Sequence, residues 1–197
     1  DGRSSLAKSI EQTAADNIAT MQKVRPHGPY RLLGYSNGGV VAYAMAQQLQ
    51  RQGEKVAQLI LLDSLSVAHR NYDEIELIAQ VFSHLATTLG GELNPDIEKL
   101  RALDPVERGE YLYRQLTENG LQSDKNYFIN TYKVAINSEK LCQDYSLSPL
   151  SEPTEVTLFK ADDSYQDVPE DYGWSTLVKT KVNTVDIKGS HFDMVMN

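Results

Sequence analysis

Tyr30-Arg31-Leu32-Leu33-Gly34-Tyr35-Ser36-Asn37-Gly38-Gly39 is the stretch that decides the fold of this chain. Tyr30 to Gly34 reads as a short buried strand, and Gly39 to Arg51 reads as a helix whose small residues Ala42, Ala44 and Ala46 let it lie close against a sheet. Ser36 then falls on the tight turn between them. A serine there must adopt a strained backbone, so Gly34 and Gly38, two positions to either side, are expected to tolerate almost nothing larger than glycine. The turn offers a hydroxyl at a helix N-terminus, where backbone N–H groups and the helix dipole can steady a developing negative charge.

Working outward, Ile10, Ala14, Ile18 and Met21 share one face of a predicted helix from Ser9 to Val24, with Ser9 as N-cap and Pro26 and Gly28 ending the segment. Downstream, Gly53 closes the second helix, and Val56 to Leu62 is a near-continuous apolar run of the kind expected in a strand buried on both faces. Strand, helix, strand in this order implies a parallel sheet and an α/β fold. Asp63 follows the second strand, at the edge where open α/β sheets gather their chemistry. The next strands are Glu155 to Lys160 and Lys181 to Ile187. The 91 residues between Asp63 and Glu155 far exceed a crossover of about a dozen. Helical patterns at Tyr72 to Leu89, Asp96 to Leu103, Pro105 to Leu116 and Lys125 to Leu141 make this a helical insertion within residues 64–154, expected to act as a lid over the strand ends. The whole of residues 1–197 reads as one domain carrying that insertion.

The bulk composition agrees with one globular domain: 197 residues, 41% hydrophobic and 23% charged. A net charge of -8 without a basic cluster argues against nucleic-acid or anionic-membrane partners. No apolar run approaches the roughly 20 residues of a bilayer span, and the start of the chain lacks a signal-peptide pattern. The single cysteine, Cys142, has no disulfide partner and reads as a buried small hydrophobe, and no Cys/His spacing suggests zinc. A reduced, cytoplasmic setting is expected.

A serine hydroxyl is a weak nucleophile near neutral pH and needs a positioned base, itself held by a third group. His27 precedes the first strand, and His69 and His84 belong to the insertion, so none of them is the expected base. His191 follows the last predicted strand and the turn Lys188-Gly189-Ser190, on the same sheet edge as Ser36. For the acid, Asp63 competes with Asp162 and Asp163, and spacing alone does not choose between them. The stretch from Asp162 to Asp171, with Asp167 and Glu170, also reads as a solvated acidic loop, and Trp174 reads as packing.

In combination, His27 to Gly39, Ala42 to Leu49, Leu61-Leu62-Asp63-Ser64 and Gly189-Ser190-His191-Phe192 resemble the thioesterase domains of nonribosomal peptide and polyketide synthases, members of the α/β-hydrolase superfamily. The resemblance runs from the first helix to His191. It implies a catalytic Ser36, Asp63 and His191, with Asp63 preferred because the family acid follows the strand after the nucleophile helix. The backbone N–H of Asn37 is then one oxyanion donor. It further implies release of an acyl or peptidyl chain from the phosphopantetheine arm of a carrier protein in the same polypeptide, by hydrolysis or macrocyclisation, with no cofactor bound directly. A free-standing editing thioesterase or a carboxylesterase is the alternative within the fold, and a silent carrier-docking domain the alternative outside catalysis.

The chain departs from that pattern at both ends. Thirty-five residues before Ser36 do not accommodate the strands and the oxyanion loop that normally precede the nucleophile, and six residues after His191 leave the usual final helix missing. The nucleophile strand is therefore expected to be an unprotected sheet edge, and the chain a fragment of a longer polypeptide.

Overall fold

The computed structural model describes residues 6–67, 73–88, 90–165 and 167–196. His69, Tyr72 and Leu89 lie outside them. Helix α1, Ile10–Val24, starts on the expected cap, with Ser9 Oγ accepting from the Gln12 N–H at 3.1 Å. Strand β1, Tyr30–Tyr35, runs one residue beyond its predicted end. Helix α2, Asn37–Arg51, begins directly after Ser36, two residues earlier than predicted, because the Ser36 backbone itself makes the turn. Strand β2 spans Val56–Leu62, as expected.

The insertion forms helices α3, Glu74–Thr88; α4, Ile97–Ala102; α5, Pro105–Glu118; and α6, Lys125–Asp144. Asp96 caps α4, and Asp104 with Glu107 forms a reciprocal capping box on α5, followed by Pro105 at the first helical position. Strand β3, Glu155–Asp163, and strand β4, Val182–Ser190, complete a sheet of order β1-β2-β3-β4 in which every described pairing is parallel.

Two compact units result. Among the described residues, one holds those within 7–67 and 141–196, the other Leu6 and those within 73–140. The second has its own core, in which Phe82 packs on Phe128 and Tyr132 beside Leu100, Leu112 and Leu116. In the first, Ile10, Ala14 and Ile18 of α1 bury against α2, and α2 lies on β1 and β2 over Leu32, Leu59 and Leu61, in one core with Val156 and Leu158 of β3.

Three expectations about the strands are corrected. The first strand is buried on one face only: Tyr30 and Leu32 point under α2, whereas Leu33 on the opposite face is 60% exposed. β2 likewise buries Leu59 and Leu61 fully but Ile60 and Leu62 only in part, so its apolar run does not mean that both faces are covered among the described residues. The turn predicted at Lys188-Gly189-Ser190 is strand. Pairing continues to Ser190 through an irregularity opposite Ala161 and Asp163, where Gly189 takes a φ of +114° and donates its N–H to Asp162 Oδ1 at 2.8 Å.

A short helix α7, Asp193–Met196, also follows His191, where the sequence led us to expect none. Its first turn is anchored by Asp193 Oδ2, which accepts from both the N–H and the hydroxyl of Ser190.

The chain returning from the insertion is fastened to α2 by two buried amides. Gln47 donates to the carbonyl and hydroxyl of Ser148 and accepts from the Tyr145 hydroxyl. Gln50 Nε2 donates to the Glu152 carbonyl and to Thr154 Oγ1, while its Oε1 accepts from the Ser151 hydroxyl and the Glu152 N–H. All four hydrogen-bonding positions of the Gln50 amide are used, as a buried polar group requires.

Candidate active site

Ser36 adopts φ 53° and ψ −127°, a backbone that a non-glycine residue holds only when its surroundings impose it, at a cost of about 1–3 kcal/mol. The imposing contacts are local. The Ser36 N–H still pairs with the Leu62 carbonyl at 2.9 Å, as though the strand went on, while the Ser36 carbonyl already accepts from the Gly39 N–H at 3.0 Å, as though the helix had begun.

Room for this reversal comes from glycine, but not at both predicted positions. A Cβ on Gly34 would lie 2.2 Å from the Gly38 carbonyl oxygen, so that position excludes any side chain. A Cβ on Gly38 would meet nothing within 4 Å, whereas one on Gly39 would fall 2.1 Å from Ser64 Oγ. The second obligatory glycine is therefore Gly39. It lets the start of α2 press against the chain leaving β2.

That same chain carries Asp63. Tyr35 and Leu62 are register partners, so Ser36 and Asp63 leave adjacent strands side by side. Asp63 also has a positive φ, 41°, and is fully buried. Its Oδ2 accepts from His191 Nδ1 at 2.7 Å and from Ser164 Oγ at 2.5 Å; its Oδ1 accepts from the Ala161 N–H at 3.0 Å and from the Tyr172 hydroxyl at 3.1 Å. Burial alone would push this carboxyl up. The hydrogen bonds from His191, Ser164 and the Ala161 N–H outweigh it and hold Asp63 below the usual carboxylate range. An ionised Asp63 fixes the proton of His191 on Nδ1, leaving Nε2 as the acceptor.

The structure thus brings Asp63 and His191 into contact and sets Ser36 on the neighbouring strand end. Among the described residues Ser36 Oγ makes no hydrogen bond to His191; such pairs are often longer than bonding distance before substrate arrives. Asn37 is the first residue of α2, its N–H at the helix start. Asp162 is occupied elsewhere, with the Gly189 N–H, and Asp163 pairs in register with Ser190. His27 bonds Glu54 at 2.8 Å at the opposite end of β1, and His84 lies in α3.

Four participants escaped the sequence reading. Ser164 comes from the stretch 162–171 read in part as a solvated acidic loop, Tyr172 directly follows it, and Ala161 contributes only its backbone. Tyr172 is buried, takes φ 54° and has its hydroxyl pKa raised by burial and by the Asp63 charge. Its neighbour Trp174 does pack as expected: it is fully buried against Tyr43 and donates Nε1–H to the Ser64 carbonyl at 2.6 Å. The fourth is Tyr35, whose ring stacks on His191. No sequence pattern announces such contacts, because they join residues about a hundred or more positions apart. Cys142 is buried in the core. A cavity of about 480 Å³ lined by Glu170, Asp171, Ser175 and Lys181 to Thr184 opens at the N-terminal end of β4, away from His191 at the other end.

A parallel sheet with a strained serine after one strand, a buried acid after the next and a histidine after the last is the layout of an α/β hydrolase. Residues 1–197 match the family model of the thioesterase domain, and the chain belongs to that family. It is 32% identical over 200 residues to a dimodular nonribosomal peptide synthase of Bacillus subtilis (strain 168), covering 98% of this chain and 8% of that protein. It is 43% identical over 98 residues to malpibaldin synthetase of Mortierella alpina, covering 48% of this chain and 2% of the relative. Among solved structures, a four-domain nonribosomal peptide synthetase in its holo form, bound to AMP and glycine, superposes over 98% of this chain and 15% of its own, with a TM-score of 0.79 and 28% identity. The chain therefore spans only a small part of the length of each of these proteins. Among the described residues no helix is long and apolar enough to cross a membrane.

Proposed function

We propose that this domain releases an acyl or peptidyl chain from the phosphopantetheine thioester of a carrier protein, through a covalent intermediate on Ser36. The observation that carries the reading is the 2.7 Å bond from His191 to a fully buried, four-partnered Asp63, beside a serine held at positive φ on the adjacent strand end. His191 Nε2 takes the Ser36 proton as Oγ attacks the thioester carbonyl. The Asn37 N–H and the dipole of α2 stabilise the oxyanion. The carbon–sulfur bond then breaks, and the departing thiolate takes the proton from His191, leaving an ester on Ser36.

In the second half, His191 accepts a proton from water, or from a hydroxyl or amine of the bound chain. That nucleophile adds to the ester carbonyl, and Ser36 leaves with the proton returned by His191. Water gives a free acid, and an internal nucleophile gives a macrocycle. The helical insertion is read as the lid of this site from its place between β2 and β3. The multidomain relatives support a carrier partner in the same polypeptide, and a reduced cytoplasmic setting suits the lone buried Cys142. The test is release from an acyl-loaded carrier domain: Ser36→Ala should lose at least about 10³-fold in rate and accumulate no acyl-enzyme. Turnover at the parent rate would refute the assignment.

A further inference from the structure

A single hydrogen bond to Asp63 fixes one atom of the His191 ring but leaves the ring free to turn about that bond. Something else must set its plane. Tyr35, the last residue of β1, lies against it: the two ring centroids are 4.7 Å apart at an interplanar angle of 25°. The Tyr35 hydroxyl also reaches past the ring and donates to the backbone carbonyl of His191 at 2.9 Å. One side chain therefore holds both the imidazole face and the peptide that carries it. Tyr165 and Phe192 meet the same imidazole edge-on, at 6.2 Å and 5.3 Å.

We propose that Tyr35 is a positioning residue for the base: its ring sets the plane of the His191 imidazole, and its hydroxyl sets the height of the histidine backbone above the serine turn. Tyr35 is joined through one peptide bond to Ser36, so the reference surface for the base is built on the same turn that carries the nucleophile. A shift of the histidine loop is thereby converted into a shift against Ser36's own neighbour rather than against a distant part of the fold. During acylation the imidazole becomes an imidazolium, and the face of an electron-rich phenol favours that cation. The Tyr35 hydroxyl is pushed up to about 12 by burial and by the Asp63 charge, so it remains a donor throughout the working pH range. This inference rests on the reading of Ser36 and His191 given above.

The experiment is the rate of Ser36 phosphonylation by a small alkyl fluorophosphonate, resolved into the maximal rate and the half-saturating concentration, with Ser36→Ala as the control. Tyr35→Leu should lower the maximal rate by about 10²-fold, the scale of a misplaced reacting group, while the half-saturating concentration changes less than about threefold. Tyr35→Phe keeps the stacked ring and should recover the rate to within about fivefold of the parent. The downfield proton resonance of His191 Nδ1–H should persist in Tyr35→Phe and broaden by exchange in Tyr35→Leu. If Tyr35→Leu does not stay folded at the assay temperature, Tyr35→Met supplies the same ringless comparison. A folded ringless variant within about threefold of the parent rate overturns the proposal, as does a Tyr35→Phe variant as slow as the ringless one. Labelling of Ser36→Ala at the parent rate would instead overturn the assignment of the nucleophile.

Discussion

Ser164→Ala tests how a fully buried carboxylate is kept charged beside the candidate base. Ser164 Oγ donates to Asp63 Oδ2 at 2.5 Å, on the same oxygen that receives His191 Nδ1. A hydrogen bond to an ionised group contributes about 1.5–3 kcal/mol, against about 0.5–1.5 kcal/mol for a neutral pair. Asp63 has no exposed surface through which water could replace the lost donor. The variant should therefore be less stable than the parent by about 1.5–3 kcal/mol at pH 7. The carboxyl pKa is lowered in the folded state, so its contribution is present in full above the unfolded value of about 3.9 and is lost as the pH falls through the lower folded value. The unfolded state is the same in both proteins and cancels in their difference. The gap should therefore stay constant while Asp63 is ionised in both folded proteins and shrink as the pH falls through the variant's folded value towards the parent's lower one, where the charged hydrogen bond becomes a neutral one. Urea titrations followed by the fluorescence of Trp174, the single tryptophan, which is buried and bonded to the residue after Asp63, report on this unit. A gap under about 0.5 kcal/mol at pH 7, or one that does not shrink with acidification down to the acid unfolding of the parent, refutes the account of the charge.

Two further outcomes follow from packing. Gly34→Ala should destabilise the fold by at least about 1–3 kcal/mol and slow acylation of Ser36, because the added methyl collides with the backbone at Gly38, whereas Gly38→Ala should fold within about 1 kcal/mol of the parent; equal melting temperatures for the two would contradict the steric argument. Gln50→Leu, which deletes an amide with four satisfied bonds, should cost about 2–4 kcal/mol in urea titrations, and a loss under about 1 kcal/mol would mean that the return segment at Ser151 to Thr154 is not held through Gln50.

The sequence by itself determined the succession of the four strands and the longer helices, and the turn at Ser36. Local rules suffice for these. A capping serine at position 9, a glycine two before a turn serine and an apolar run from Val56 to Leu62 act on near neighbours, and β2 appears with the expected bounds. Asp63 could be preferred over Asp162 and Asp163 only through family likeness, since all three follow strands. Tertiary structure separates them: Asp63 alone of the three receives the His191 bond, while Asp162 receives the Gly189 N–H.

Other decisions were made by packing at a distance. Gly39 rather than Gly38 is obligatory because Ser64, 25 residues on, occupies the space where a side chain would go. The stretch from Asp162 to Asp171, acidic enough to pass for a solvated loop, instead turns Ser164 inward onto Asp63, and Tyr172, the residue directly after it, joins there. Which face of β1 is covered was likewise outside the reach of hydropathy, because Leu32 and Leu33 are equally apolar and only the seating of α2 tells them apart. Periodicity and turn chemistry are short-range properties written along the chain. The ionisation of Asp63 and the plane of His191 depend on donors and rings that meet only when β1, β2, β3 and β4 lie side by side.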